Sequence, residues 1–225
     1  MLWTAHFWEV EKVHIQGATA NTLAYVENFV QRRQIQGQHV LALNPLELKS
    51  ALETNPLLKN VALEREILPA TVTLKVQERQ PRYVLLNTFA KRLTDAKTTV
   101  IDAEGMVLPL ASSQLDYTGP VIYLDPKRYQ KGQIPAEHLN LIHELNELYA
   151  RKALTDVGVF DISNPQNVMF YLEKPALKIW LGRPEELVVK MRLIESTYQA
   201  AEVKEADVDY IDLRFWNHPV VKTGP

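Results

Sequence analysis

Apolar and polar residues alternate over residues 60–78, and this pattern organises the rest of the chain. Val61, Leu63 and Ile67 share one face of a first run, and Val72, Leu74 and Val76 share one face of a second. Leu68-Pro69-Ala70-Thr71 lies between them. Period-two alternation on both sides of a proline predicts a β-hairpin. Arg65 and Glu78 interrupt the apolar face. A two-residue turn at Pro69-Ala70 would set Arg65 opposite Leu74 and Glu78 opposite Val61, so the two charges would not face each other. Arg65 then either binds an anion or snorkels off the strand edge, and the second reading is favoured. Pro81 has no N–H to give to a sheet and ends the run. Glu78, Arg79 and Pro81 therefore read as the junction between one small domain and the next.

Upstream, residues 10–15 alternate up to Gly17 and predict a strand. Leu23, Val26, Phe29 and Val30 recur at helical spacing within residues 22–33. Asn44-Pro45-Leu46-Glu47 has the form of a helix start, with an N-cap side chain, proline at the first helical position and an acid three residues on. Asn55-Pro56 stops that helix. The order strand, helix, helix, strand, strand makes a small α+β unit.

Beyond Pro81, strands are expected at 83–86, at 100–108 as a hairpin turning on Ala103-Glu104-Gly105, at 121–124, 157–162, 168–172 and 177–181, and last at 208–216. Asn164-Pro165 and Lys174-Pro175 punctuate them, and residues 109–119 and 126–133 read as surface loops. A long helix at 136–154 presents Leu139, Ile142, Leu145, Leu148 and Tyr149 on one side, and Glu185 and Glu186 stand in the first turn of a second helix reaching Ala200. The predicted class is α+β: a β-α-α-β-β domain, then a mixed α/β domain whose twisted, largely antiparallel sheet is flanked by helices. The expected divisions are residues 1–8 as lead-in, 9–81, 82–216, and 217–225 as a tail.

Composition narrows the function by exclusion. A net charge of −2 over 225 residues gives no reason to expect nucleic acid. The absence of cysteine excludes disulfides, a thiolate nucleophile and zinc–thiolate sites. There is no glycine-rich phosphate loop and no nucleophile elbow, so neither cofactor nor metal is expected. His138 and His143 are five apart on a helix, the wrong spacing for two ligands on one face, and read as solvated. Asp102, Asp125, Asp161, Asp209 and Asp212 each follow an apolar strand residue, a position where acids usually cap turns. Two tryptophans in the first eight residues read either as an irregular lead-in or as the trailing edge of a membrane helix.

Several segments together resemble a known family. These are Val13-His14-Ile15-Gln16-Gly17, Gly37, Leu52 with Pro56, Val61-Ala62-Leu63-Glu64-Arg65, Leu68-Pro69 and Val76-Gln77-Glu78-Arg79-Gln80-Pro81. They are similar to the POTRA domain of the FtsQ/DivIB cell-division proteins. Val100-Ile101-Asp102-Ala103-Glu104-Gly105, Leu181-Gly182 with Leu187, Lys190 and Leu193, and Tyr210-Ile211-Asp212-Leu213-Arg214-Phe215 resemble that family's β-domain. The resemblance spans nearly the whole chain in the right order. It implies a non-catalytic single-pass scaffold of the inner membrane. Its bulk would lie outside the cytoplasm at the septum, binding FtsB and FtsL (DivIC in some lineages) and through them FtsW and FtsI. The family's cytoplasmic tail and membrane helix are not in this sequence, so either the chain is cut after the helix or its start is assigned late; an ectodomain with Trp3 and Trp8 near the membrane exit is favoured. The alternative is a POTRA module of an outer-membrane assembly or secretion system, acting as a polypeptide chaperone.

On the last predicted strand, Ile211, Leu213 and Phe215 point to the core, and Tyr210, Asp212, Arg214 and Trp216 point away. The second set is either a solvated face or part of an edge strand that pairs with a partner. The resemblance favours the edge strand. The expected partner-binding residues are Tyr210, Asp212, Arg214, Phe215, Trp216 and Val220, joined by Lys190 and Arg192 as exposed charges on the preceding helix.

Overall fold

The computed structural model describes residues 8–88, 97–151, 158–172, 177–199 and 208–223. Trp3, most of segment 87–98, the Lys174-Pro175 break and the expected far ends of the two long helices lie outside them. The chain divides into two compact units, residues 1–80 and 81–225.

The first unit runs β1 (Lys12–Gln16), α1 (Leu23–Arg32), α2 (Pro45–Leu52), β2 (Leu58–Ile67) and β3 (Ala70–Glu78). Its sheet order is β1-β3-β2, with β1 parallel and β2 antiparallel to the central β3. Gly17 ends β1 at φ +83°, where a Cβ would lie 2.1 Å from the Val76 carbonyl oxygen. Only glycine allows so close an approach. Asn44 caps α2 by accepting from the Leu46 and Glu47 amides at 3.1 and 3.4 Å. Glu47 pairs with Arg33 at 3.1 Å.

The hairpin register differs from the expected one. Ile67 pairs with Ala70, so Leu68-Pro69 makes the turn, and Arg65 faces Val72 while Val61 faces Val76. Ala70 is buried in the core and is drawn into the sheet instead of the turn. The shift keeps each residue on its face, because it moves the pairing by two positions. Arg65 donates to the Leu43 carbonyl oxygen at 3.2 Å, so it ties the hairpin to the chain ahead of α2.

Glu78 holds the other end of the unit. Its carboxylate accepts from the Thr19 amide at 2.7 Å, from Thr19 Oγ1 and from the buried Thr22 hydroxyl. Thr22 is the N-cap of α1 but makes no side-chain cap of its own, so Glu78 on β3 supplies the acceptor and the negative charge at that helix terminus. Partial burial alone would raise the Glu78 pKa, and the three donors more than offset it and hold it below the usual carboxylate value.

The second unit contains β4 (Pro81–Leu86), β5 (Thr98–Asp102), β6 (Val107–Leu108), β7 (Val121–Tyr123), α3 (Ala136–Ala150), β8 (Gly158–Asp161), β9 (Val168–Leu172), β10 (Leu177–Gly182), α4 (Leu187–Gln199), β11 (Val208–Asp212) and β12 (Val220–Thr223). The strands form one sheet in the order β12-β11-β10-β9-β8-β7-β4-β5-β6. Three neighbour pairs are parallel, β4–β7, β7–β8 and β10–β11, and the rest are antiparallel. Parallel neighbours need a crossover connection. α3 supplies it between β7 and β8, and α4 between β10 and β11. Both helices pack on one face of the sheet, where Leu141, Ile142, Leu145, Leu187, Met191 and Ile194 share a core with Phe160, Phe170, Ile179 and Ile211. Asp102, Asp125, Asp161 and Asp212 cap turns as expected, each accepting from a backbone amide two residues on.

Three helix assignments are corrected. The buried stripe of α3 is His138, Leu141, Ile142 and Leu145, with Leu139, Leu148 and Tyr149 at its margins. His138 is therefore buried, not solvated, because it occupies the head of an i, i+3, i+4, i+7 face. His143, also expected in solvent, bonds the Ala103 carbonyl through Nε2 at 3.1 Å and packs on Tyr83. Glu185 and Glu186 precede α4 and do not form its first turn.

Two predictions follow from this packing. Glu78→Gln removes the charge at the α1 terminus and should cost about 1–2 kcal/mol in denaturant unfolding of the first unit at pH 7. The depressed pKa means this contribution is present above the unfolded value, near 4.5, and is lost as pH falls below it. Equal stability of the two proteins at pH 7 would show that Glu78 does not hold the helix. For His138, burial lowers the pKa, the nearby Ser163 backbone and Glu137 raise it, and Arg128 lowers it, with a net depression. The unfolded chain then takes the proton first, so stability should fall as pH drops below about 6.5. Unfolding curves of the native protein and His138→Leu at pH 7.5 and 5 should diverge, with the native protein losing more. Parallel curves would rule the effect out.

Candidate functional site

Six of the eight expected binding residues, Tyr210, Asp212, Arg214, Phe215, Trp216 and Val220, lie on β11, β12 and the connection between them, and Lys190 and Arg192 lie on α4. β11 is not the terminal strand. It pairs on one side with β10 in parallel and on the other with β12 in antiparallel register, through Tyr210↔Lys222, Ile211↔Val221 and Asp212↔Val220. Among the described residues β12 is the edge of the sheet. Residues 217–225, set off from sequence as a tail whose first part, 217–221, continues the edge past the bend at Pro219, supply a strand at Val220–Thr223. Val220-Val221-Lys222-Thr223, β-branched at three of four positions and placed just after Pro219, is the signal for it.

Arg214, Phe215 and Trp216 form the turn between β11 and β12. Ile211 and Leu213 are in the core as expected, but Phe215 is 73 % exposed, because the chain leaves β11 after Asp212 and alternation no longer places its side chain. Trp216 and Val220 are 43 % and 55 % exposed. Phe215, Trp216 and Val220 thus lie together around an open strand edge, and all three are large apolar side chains in water.

Asp212 and Arg214 are engaged with each other. Arg214 Nη2 meets Asp212 Oδ2 at 2.6 Å, Nε meets both carboxylate oxygens at 3.0 Å, and the Arg214 amide donates to Oδ1 at 3.0 Å. Partial burial would raise the Asp212 pKa, and the Arg214 hydrogen bonds and charge bring it below the usual value. The Arg214 guanidinium also lies 4.5 Å from the Trp180 ring centre, and Trp180 stacks on Tyr210 at 5.0 Å with ring planes 6° apart. Lys178 and Lys222 flank these rings at 5.5 and 5.8 Å. Gly182, at φ +70°, lets Arg214 pass, since a Cβ there would sit 2.9 Å from Arg214 Cγ. Sequence reasoning did not include Trp180, Lys178 or Lys222. Lys178 and Trp180 alternate visibly on β10, but the pairing that brings them and Lys222 beside Tyr210 was not visible.

Lys190 is not an exposed charge. It lies on the buried stripe Leu187, Lys190, Met191, Ile194 of α4, and its Nζ donates to the Arg183 carbonyl at 2.7 Å. Burial lowers its pKa, while Glu185 and Glu186 act to raise it. Arg192 is exposed.

Elsewhere in the unit, a polar cleft of about 820 Å³ is lined by residues that include Arg82, Tyr83, Tyr117, His143, Asn146 and Glu147. Its groups largely satisfy one another. The Tyr117 hydroxyl bonds the Pro120 carbonyl and Asn146 Oδ1 at 3.1 Å each, and Asn146 Nδ2 donates to the Ile142 carbonyl. Burial raises the Tyr117 pKa, which keeps it a neutral donor. Among the described residues no three His, Asp or Glu side chains are placed to hold a metal ion, and no helix is long and apolar enough to cross a membrane.

Comparison with known proteins agrees with this architecture. Residues 9–79 match the FtsQ-type POTRA domain, and residues 92–214 match the C-terminal domain of cell division protein FtsQ/DivIB. No curated protein matches the chain significantly. The matched family is one of membrane-anchored, non-catalytic division proteins. With the C-terminal match covering more than half its length, and the POTRA match preceding it in order, the chain belongs to the FtsQ/DivIB family and has a cell-division scaffold role.

Proposed function

We propose that this chain is a non-catalytic divisome scaffold, working outside the cytoplasmic membrane at the septum. Its β12 edge takes up a strand from an FtsB/FtsL (DivIC)-type protein and thereby connects to FtsW and FtsI. The observation that carries this reading is an open strand edge beside three exposed apolar side chains, Phe215, Trp216 and Val220. Edge backbone groups give an added strand its hydrogen bonds, and aromatic side chains beside the edge give it anchoring area. Tyr210, Asp212 and Arg214 act in this reading as the platform that fixes the turn, with Trp180 beneath the guanidinium. Arg192 tunes association from the exposed face of α4. Arg79 and Pro81 stand at the passage between the two units, and Glu78 belongs to the first. The C-terminal FtsQ/DivIB match leaves the chaperone alternative without support.

Calorimetry with a soluble FtsB/FtsL-type segment from the same organism tests the reading. Phe215→Ala and Trp216→Ala should each weaken binding by roughly 10- to 30-fold. Both should unfold like the native protein, since neither side chain is in the core. Unchanged affinity in both variants would overturn the edge-strand reading. Arg192→Ala should change the salt dependence of the association rate while moving affinity by less than about threefold. A larger loss of affinity would move the centre of the interface onto α4.

A further inference from the structure

The exposed large apolar residues of the described chain fall into two groups. Phe215, Trp216 and Val220 surround the β12 edge, and the other six are in the first unit. Of those six, Trp8, Leu41, Leu46, Ile67 and Leu68 share one end of the unit, and Leu23 alone is at the other, beside the Glu78 contact. The hydrogen bonds fix this placement. β1 starts where β3 starts and β2 ends, since Lys12 pairs with Thr71 and Ile67 with Ala70. Trp8 lies upstream of β1, its carbonyl accepting from the Val40 amide at 2.7 Å and its ring stacked on His39 at 6.0 Å. Leu41 follows in the same strip. The Val61 amide bonds Glu53 at the end of α2, and Arg65 bonds Leu43 ahead of its start. α2 therefore runs antiparallel to β2 and brings Leu46 to the hairpin end. Leu46 and Leu68 are 75 % and 78 % exposed, more than any other large apolar side chain described.

We propose that this end of the POTRA unit seats directly in the interfacial layer of a lipid bilayer, the hairpin tip and the residue 39–46 segment entering beside the incoming chain. The inference rests on the membrane-anchored reading of the family. Three observations select a bilayer as the occupant. The chain enters the unit at this end. The sequence before Trp8 is Met-Leu-Trp-Thr-Ala-His-Phe, which continues the apolar and aromatic character toward the amino terminus. Trp with Leu and Ile is the composition that partitions into the interface. The charges nearby are Glu9, Glu11, Glu47, Glu66, Lys12, Arg33 and Arg65, with Arg65 tied to Leu43 and Glu47 paired with Arg33. They sum to −1, so anionic lipid is not the attraction and the apolar side chains are.

The cysteine-free sequence makes the test clean. Leu68→Cys and Leu41→Cys, with Phe215→Cys as control, each carry one fluorophore on the full 225-residue chain. The labelled proteins are mixed at millimolar lipid with vesicles of phosphatidylcholine whose acyl chains are brominated. Fluorophores at 68 and 41 should lose about half their emission, and the one at 215 should stay unquenched. Adding phosphatidylglycerol should not increase the loss, and Leu46→Asp in the Leu68→Cys background should reduce it several-fold. Absence of quenching at 68 and 41, or quenching that requires anionic lipid, overturns the proposal. So does a concentration-dependent dimer in sedimentation that Leu46→Asp abolishes, since a second copy would then be the occupant. None of these outcomes depends on partner binding at β12, so failure here and failure of the scaffold reading are distinguishable.

Discussion

The parallel pairing of β10 with β11 is the constraint on which the C-terminal half depends. A parallel neighbour cannot be reached by a tight turn, so the chain must travel back over the sheet through α4. That passage puts Leu187, Met191 and Ile194 onto the same face as α3 and closes the core there. After β11 the chain can only turn back, and the four residues of β12 finish the sheet. An edge made this way is short and backed by a single strand. Among the described residues of this unit it carries backbone groups that pair with no further strand.

Beyond the buried Leu213, the turn between β11 and β12 is held by charge and stacking. Asp212 takes the Arg214 amide and its guanidinium at once, and the guanidinium rests on Trp180, which rests on Tyr210. Each link alone is worth little on a partly exposed surface. Together they order the chain for three residues without using any apolar side chain of the turn, and this leaves Phe215 and Trp216 free to stand in water. A fold that needed those two rings for its own core would have nothing to offer at this edge.

Where a signal was local, the sequence carried it. The Asn44 cap, the strand-end aspartates and the two alternating runs of the hairpin all depend on residues within a few positions, and all were legible. The hairpin register was not, because the choice between Leu68-Pro69 and Pro69-Ala70 as turn is made by burial of Ala70 against the rest of the first core. His138 and Lys190 were assigned by residue type when position decided. Both sit on an i, i+3, i+4, i+7 stripe with apolar partners, and helix periodicity outweighs polarity when a single ring or amine can be accommodated. β12 was legible only as a continuation of the edge past Pro219, not as a separate strand, for a different reason. Four residues after a proline have no periodicity to read, and an edge is defined by what lies beside it.

The distribution of exposed apolar area separates structural from functional demand. In both units the core is closed by helices that bury their apolar stripes, and the large apolar side chains left in water, Leu23 apart, are not scattered among the described residues. They concentrate where the chain enters the first unit and where it ends the second. A protein selected only for stability and solubility gains nothing from Leu68 at a hairpin tip or Phe215 in a turn, since polar residues serve both positions as well and resist aggregation better. Their placement is therefore better explained by surfaces that are covered in the working assembly. The local chemistry differs at the two places. An open strand edge beside the rings calls for a polypeptide that can donate and accept backbone hydrogen bonds. A strip of Trp and Leu contributed by a hairpin turn, a helix start and a lead-in segment, and not by one strand, calls for a surface that asks for no hydrogen bonds at all.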